Sequence, residues 1–266
     1  FKVGDKGIFY GKVFKKKRKS AKKWSVTAYD RMRYLKNTDT IVFEASKSHE
    51  IFSKICEISE LEYKVIDEGN WTCPEKIEDK KTYFAMIQNA LDLTLIHGGM
   101  WYIIRDNFGT VEHIALNSLI TDLVIGDDSV AKDFDYEGSI DDSFNYVKLT
   151  KDNKQSKKRE VYVVKDSKNV ALWGKLQYHE KVDEKMNESQ IQQKAELLLK
   201  AKNHPKKTFK VPCLGHLGIS AGNSVVLDFA DLESEGIKKN SLGIISKCTH
   251  KWDKVHTMDL ELRTLE

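Results

Sequence analysis

The sequence is short of the features that mark a membrane-spanning, disulfide-built or familiar catalytic chain. It has four cysteines in 266 residues, Cys56, Cys73, Cys213 and Cys248, and no two of them form a CxxC pair. That usage is too sparse for a disulfide scaffold at this size, so free thiols made in a reducing cytoplasm are expected. Cys56 falls on an apolar helical face and reads as a small core residue. No apolar run approaches the roughly 18 residues that a spanning helix requires. Charge of one sign is also missing: 44 Lys and Arg against 40 Asp and Glu leave +4, too balanced to demand a nucleic-acid partner. The patterns GxxxxGK[ST], HExxH and GxSxG do not occur. Gly4, Gly7 and Gly11 lack the dinucleotide-binding spacing and have no βαβ unit around them.

Two weaker constellations remain. Cys213 with His216 and Cys248 with His250 supply four zinc-ligand types, but structural zinc sites favour CxxC knuckles and the second pair lies within a predicted strand. A metal site is not expected there. Asp127-Asp128 and Asp141-Asp142 offer the paired carboxylates of a glycosidase. Neighbouring aspartates on a strand point to opposite faces, so a loop or cap role is the simpler reading. His97 near a helix end and His179 in a strand have no partner pattern. No catalytic, cofactor-binding or metal-binding residue is assigned.

What is present is patterned apolar sequence, 40% of the chain against 32% charged. A length of 266 residues suffices for a sizeable core and one to three domains. The central stretch is WSVTAYDRMRYLKN (24–37). Trp24, Val26 and Ala28 alternate with Ser25, Thr27 and Tyr29, the period of a half-buried strand. Met32 and Leu35 then follow helical spacing, and Asp30 at the change is placed to cap the turn. Upstream, IFYGKVF (8–14) reads as a strand. The run KKKRKSAKK (15–23), seven basic residues in nine, reads as a solvated hairpin tip between strands rather than a nucleic-acid patch.

Further along, 40–44 predicts a strand. Ser46 or Ser48 is placed to cap a helix with Ile51, Phe52, Ile55, Cys56 and Ile58 on its apolar side. A strand follows at 63–66. Thr82 opens a second helix that Gly98-Gly99 ends, and 100–105 with 110–116 form a hairpin around 107–109. Strands are then predicted at 145–150 and 160–165, joined by the polar loop 151–159. Asp166 and Ser167 cap a short turn, 176–182 is a strand and 189–202 a helix. Strands close the chain at 208–211, 224–229, 242–252 and 257–262. Late strands with one intervening helix imply a small barrel or strongly bent sheet.

AYDRMRYLKN (28–37), with the preceding 8–27, FDYEGSIDDSFNYVKLTKDN (134–153), KREVYVVKDSKNVALWGKLQYHEKVDE (158–184) and MDLELR (258–263), resembles in collinear order the XkdQ/YqbQ family. These are baseplate hub proteins of PBSX-type prophages and related contractile particles. The resemblance implies an α+β fold with two tube-like β-barrel domains, 1–37 and 144–266, around an α+β module, 38–143. It also implies a further strand-rich segment before Phe1, completing the first barrel. It implies a structural role without enzymatic activity or cofactor: a homotrimer joining the tail tube protein to the central spike protein. Such a protein is made in the bacterial cytoplasm and assembled into a virion or tail-like particle, with no membrane contact. Nucleic acid would pass its channel without specific binding, which places Lys15 to Lys23 away from the bore, since basic linings retard phosphate. A tail-associated peptidoglycan hydrolase is the alternative, and a nucleic-acid module built on the basic run is a third.

Overall fold

The computed structural model describes residues 1–20, 22–126, 134–153, 158–182, 184, 186–235 and 237–264. It is a mixed α+β structure with more strand than helix. Its residues divide into two units, Phe1–Val124 with Gly215–Leu227 and Ile125–Leu214 with Asp228–Glu266.

The first unit begins with a two-residue ladder and then an antiparallel ribbon, β1 (Lys12–Ser20) on β2 (Lys23–Tyr29). The basic run holds the solvated end of this hairpin, as expected, but 15–20 is strand rather than turn. A single 3-10 turn, Arg31–Lys36, follows and buries Leu35. Asp30 stands at its N-cap, but its carboxylate makes no capping hydrogen bond. The Asp30 main-chain carbonyl instead accepts from the Arg33 N–H at 3.3 Å.

The rest of this unit includes β3 (Thr38–Phe43), α1 (Ser48–Ile58), β4 (Tyr63–Val65), β5 (Lys76–Thr82), α2 (Tyr83–Gly98), β6 (Tyr102–Asn107) and β7 (Thr110–Ala115). β3 pairs β5 antiparallel, while β7 pairs β6 antiparallel and β4 parallel. On α1, Ile51, Phe52, Ile55 and Cys56 form one buried stripe, the i, i+4 spacing of a single helical face. Ile58 continues that spacing but stands at the last residue of α1 and is exposed. Neither Ser46 nor Ser48 caps α1: Lys47 holds the N-cap position, and its N–H donates to Glu50 Oε2 at 2.6 Å.

α2 faces α1 with Met86, Ile87, Ala90 and Leu91 buried, and these side chains share one cluster with the α1 stripe. Each buried Ile, Leu, Phe or Met among them contributes about 1.5–3 kcal/mol. Thr82 caps α2, its Oγ1 accepting from the Ala85 N–H at 3.1 Å. Thr82→Ala should lower stability by about 1 kcal/mol, measured by urea denaturation. α2 ends where Gly99 turns left-handed at φ 68° and donates its N–H to Leu95.

Strand β8 (Ile120–Gly126) straddles the division between the units. The second unit contains β9 (Asp135–Ser139), β10 (Tyr146–Asn153), β11 (Lys158–Lys165), α3 (Ser167–Trp173), β12 (Gln177–Lys181), α4 (Glu188–Lys202) and β13 (Lys206–Leu214). After β14 (Ser224–Asp228), which also straddles the division, come β15 (Ser241–Trp252) and β16 (His256–Thr264). β15-β16-β13-β9 are adjoining strands of a six-stranded sheet, and a second sheet runs β11-β10-β12. The β10–β11 ladder extends to Asn153↔Lys158, so it takes in most of the stretch expected as a polar loop. α4 covers the second sheet, burying Ile191 and Ala195 against Val147 and Leu149. Asp166 caps α3, accepting the N–H groups of Lys168 and Asn169. Among the described residues no sheet closes on itself.

Candidate assembly surface

The ribbon β1–β2 is a two-stranded sheet with no third described strand on either edge. Its register puts Lys16 opposite Val26 and Arg18 opposite Trp24, while Lys15 opposite Thr27 and Lys17 opposite Ser25 occupy the other face. The alternation at 24–28 therefore does put Trp24, Val26 and Ala28 on one face, which they share with Lys16 and Arg18. The structure corrects what covers it: Trp24 is 61% exposed and Val26 53%. Val13, Phe14 and Tyr29 are exposed as well. Arg18 stacks over Trp24 at 5.8 Å, and Arg33 lies over Phe14 at 5.4 Å. Phe14 meets Tyr29 edge-on at 5.3 Å. These contacts shape the ribbon without hiding it. An isolated two-stranded hairpin is marginal in water, and exposed aromatics rimmed by charge mark interaction surfaces. Trp24→Ser should change unfolding stability by less than about 0.5 kcal/mol, since surface substitutions away from packed features do little. A larger loss in denaturant titration would mean that Trp24 is packed within the chain.

At the root of the ribbon a cleft of about 320 Å³ is lined by residues that include Tyr10, Asp30, Arg31, Tyr34 and Glu60. Burial, reinforced by the Asp106 carboxylate, pushes the Asp30 pKa up. Arg31 lies over the Tyr10 ring at 5.4 Å. Gly11 borders this cleft, where a Cβ would meet the Tyr29 carbonyl oxygen, so the chain needs glycine to cross β2 closely.

No sequence pattern brought together Ser48 and His113, and only the fold does. His113 Nδ1 lies 2.8 Å from the Asp67 main-chain oxygen, and its Nε2 lies 3.2 Å from Ser48 Oγ. A carbonyl only accepts, so Nδ1 carries the hydrogen and Nε2 accepts from the serine hydroxyl. The arrangement has the connectivity of a nucleophile and base, but Ser48 and His113 are both fully buried. It has no room for a substrate and serves as a satisfied polar contact within the core. Burial holds the His113 pKa below its ordinary value.

The residues weighed as zinc ligands do not converge. Cys213 Sγ contacts the Met258 carbonyl oxygen at 3.7 Å, and His216 Nδ1 accepts from the Gly218 N–H. Cys248 Sγ lies 3.3 Å from His250 Nε2, and His250 Nδ1 lies 2.9 Å from His256 Nε2. The two ring nitrogens of His250 thus face different partners. Among the described residues no metal-holding group of three ligands occurs. Burial pushes the Cys213 and Cys248 thiols up to about 11 and Cys56 up to about 12, the direction opposite to thiolate activation. None of the four cysteines is in a disulfide.

Asp127-Asp128 lies outside the described residues. Asp141 and Asp142 form an exposed turn, where Asp142 pairs with Lys206 at 3.1 Å. His97 stacks on Trp71, and His179 Nε2 sits 3.3 Å from Thr150 Oγ1.

Comparison with known proteins follows the whole chain rather than any one site. A family model described as YQBQ-like matches residues 1–263. YqbQ, an uncharacterized protein of Bacillus subtilis (strain 168), is 27% identical over 98% of this chain and 79% of its own length. The phage-like element PBSX protein XkdQ of the same organism is also 27% identical, with the same coverage of each chain. Among solved structures, the 43 kDa tail protein of prophage MuSo2 from Shewanella oneidensis superposes with a TM-score of 0.69. It is 11% identical, and the match covers 98% of this chain and 80% of that one. At that identity the likeness is one of fold.

Proposed function

Because the chain belongs to the YqbQ-like family, we propose that it is the structural hub of the baseplate of a contractile phage tail or tail-like particle. The observation that carries this reading is the family match over 1–263 together with the near-full-length tail-protein fold. In the proposed assembly three copies form a ring that joins the tail tube protein to the central spike protein. The tube-like domains assigned to 1–37 and 144–266, on either side of the module 38–143, would together present six tube-like domains around that ring. This fits a ribbon that presents Trp24 and Val26 to solvent in the single chain. Obligate interfaces commonly bury 2,000 Å² or more, and such burial would supply what the isolated ribbon lacks.

The role is one of binding rather than catalysis, carried out in particles assembled in the bacterial cytoplasm. Where DNA passes the channel, the ribbon lies away from the bore. The test is reconstitution with the cognate tube and spike proteins on gel filtration. A complex containing all three supports the hub. A chain that elutes apart from both partners contradicts it.

A further inference from the structure

The ribbon carries the most one-sided charge in the chain. From Lys6 to Tyr29 there is not one Asp or Glu. The side chains of Lys12, Lys15, Lys16, Lys17, Arg18 and Lys23 are all exposed. The opposite extreme lies in the second unit. From Ser224 to Ile237 there is no Lys or Arg, and the acids are Asp228, Asp231, Glu233 and Glu235. Asp228 is engaged by Lys239 at 3.4 Å. Asp231, Glu233 and Glu235 are exposed, and no ion pair among the described residues reaches them.

That acidic segment is held in one shape. Leu232 and Ile237 are buried, and the N–H groups of Glu235 and Ile237 both donate to the Leu232 carbonyl at 3.1 Å. Glu233 and Glu235 therefore stand on a 3-10 turn, Glu233–Glu235, with Asp231 just before it, and the buried Leu232 adjoins the turn. A preorganised charged turn loses little entropy on binding.

We propose that the β1–β2 ribbon of one copy docks on the Asp231–Glu235 turn of a second copy. This rests on the hub reading and names the contact through which its ring closes. The ribbon has exposed apolar side chains, edges that no third described strand joins and a uniformly basic outline, so it fits an acidic partner that also covers Trp24 and Val26. The same chain supplies such an acid surface at a different place. A contact between two different patches is heterologous, and it closes into a ring when its rotation is a whole fraction of a turn, as the three-fold hub requires. Complementary charge fixes the register and speeds encounter, while like charges suppress wrong pairings.

The test reverses each patch separately and then both together, reading self-association by sedimentation. One variant carries Lys15→Glu, Lys16→Glu and Lys17→Glu; another carries Asp231→Lys, Glu233→Lys and Glu235→Lys. Each should weaken association by about 100-fold or more, because three juxtaposed like charges replace three attractive ones. The chain with all six changes should recover to within about tenfold of the original, since the attraction is restored with its signs exchanged. Circular dichroism of each variant establishes that it is folded.

Association unchanged by either reversal, or a folded six-fold variant that stays dissociated, overturns the contact. In both cases the hub reading stands if the original chain still assembles with its cognate spike. An original chain that neither self-associates nor binds that spike removes both. Salt-dependent binding to duplex DNA that is lost on ribbon reversal, with self-association unaffected, reassigns the ribbon to nucleic acid and also overturns the contact.

Discussion

Replacing Phe52 with alanine should lower the unfolding free energy of the first unit by about 3–5 kcal/mol, the range for truncating a fully buried aromatic. Phe52 is 0% exposed. Its ring lies edge-on to Tyr63 at 5.8 Å and 5.7 Å from the His113 ring. It stands on the α1 stripe that packs against α2, β4 and β7. A helix anchored on one side and strands on the other collapse poorly into the space left by a benzyl group, so the cavity cost adds to the lost transfer energy. Urea denaturation followed by tryptophan fluorescence measures the change. Phe52→Leu should recover most of it, because a large aliphatic side chain refills the space. A loss under about 1 kcal/mol for the alanine variant would show that α1 is not packed as described.

Replacing His113 with alanine should cost about 2–4 kcal/mol, combining a cavity with the unmade hydrogen bonds of Ser48 Oγ and the Asp67 carbonyl. The Tyr102 ring stacks on His113 at 5.1 Å and would lose that face. The same histidine makes stability depend on pH. Its folded pKa lies below the ordinary 6.5, chiefly through desolvation, with His49 nearby reinforcing the shift. The unfolded chain therefore binds a proton that the folded chain refuses. Stability is full above about pH 6.5, falls as the pH drops from there toward the folded pKa, and flattens below it. The slope cannot exceed about 1.4 kcal/mol per pH unit for one proton. Denaturation midpoints at pH 7.5, 6.5 and 5.5 should show the decline, and His113→Gln should remove this one-proton component. An unchanged slope in the glutamine variant would place the titration elsewhere.

Local periodicity made the helices and the β6–β7 hairpin readable in advance. Ile51, Phe52, Ile55 and Cys56 recur at helical spacing, Thr82 offers a cap, and Gly99 supplies the left-handed exit. Phe108 and Gly109 take positive φ at the tight turn of β6–β7, where glycine and asparagine favour such backbone. Long-range features were hidden. His113 meets Ser48 and Asp67 only because β7 lies against β4 and the start of α1. The Lys15–Ser20 stretch looked like a turn because consecutive lysines are poor strand formers, yet pairing with Trp24, Val26 and Thr27 extends it. The alternation of Trp24, Val26 and Ala28 correctly defines a face, but period alone does not say whether that face is covered by its own chain or by another. The whole-chain resemblance supplied what no short motif could: the family, and with it an assembly in which an uncovered face has a use.

Light scattering on the full-length protein, over a concentration series with and without the cognate spike, is the most direct test of the hub assembly. The predicted result is three copies per particle: about three times 30.6 kDa for this chain alone, or that mass plus the bound spike when the spike is added. A protein that remains at the mass of one chain in both solutions would contradict it.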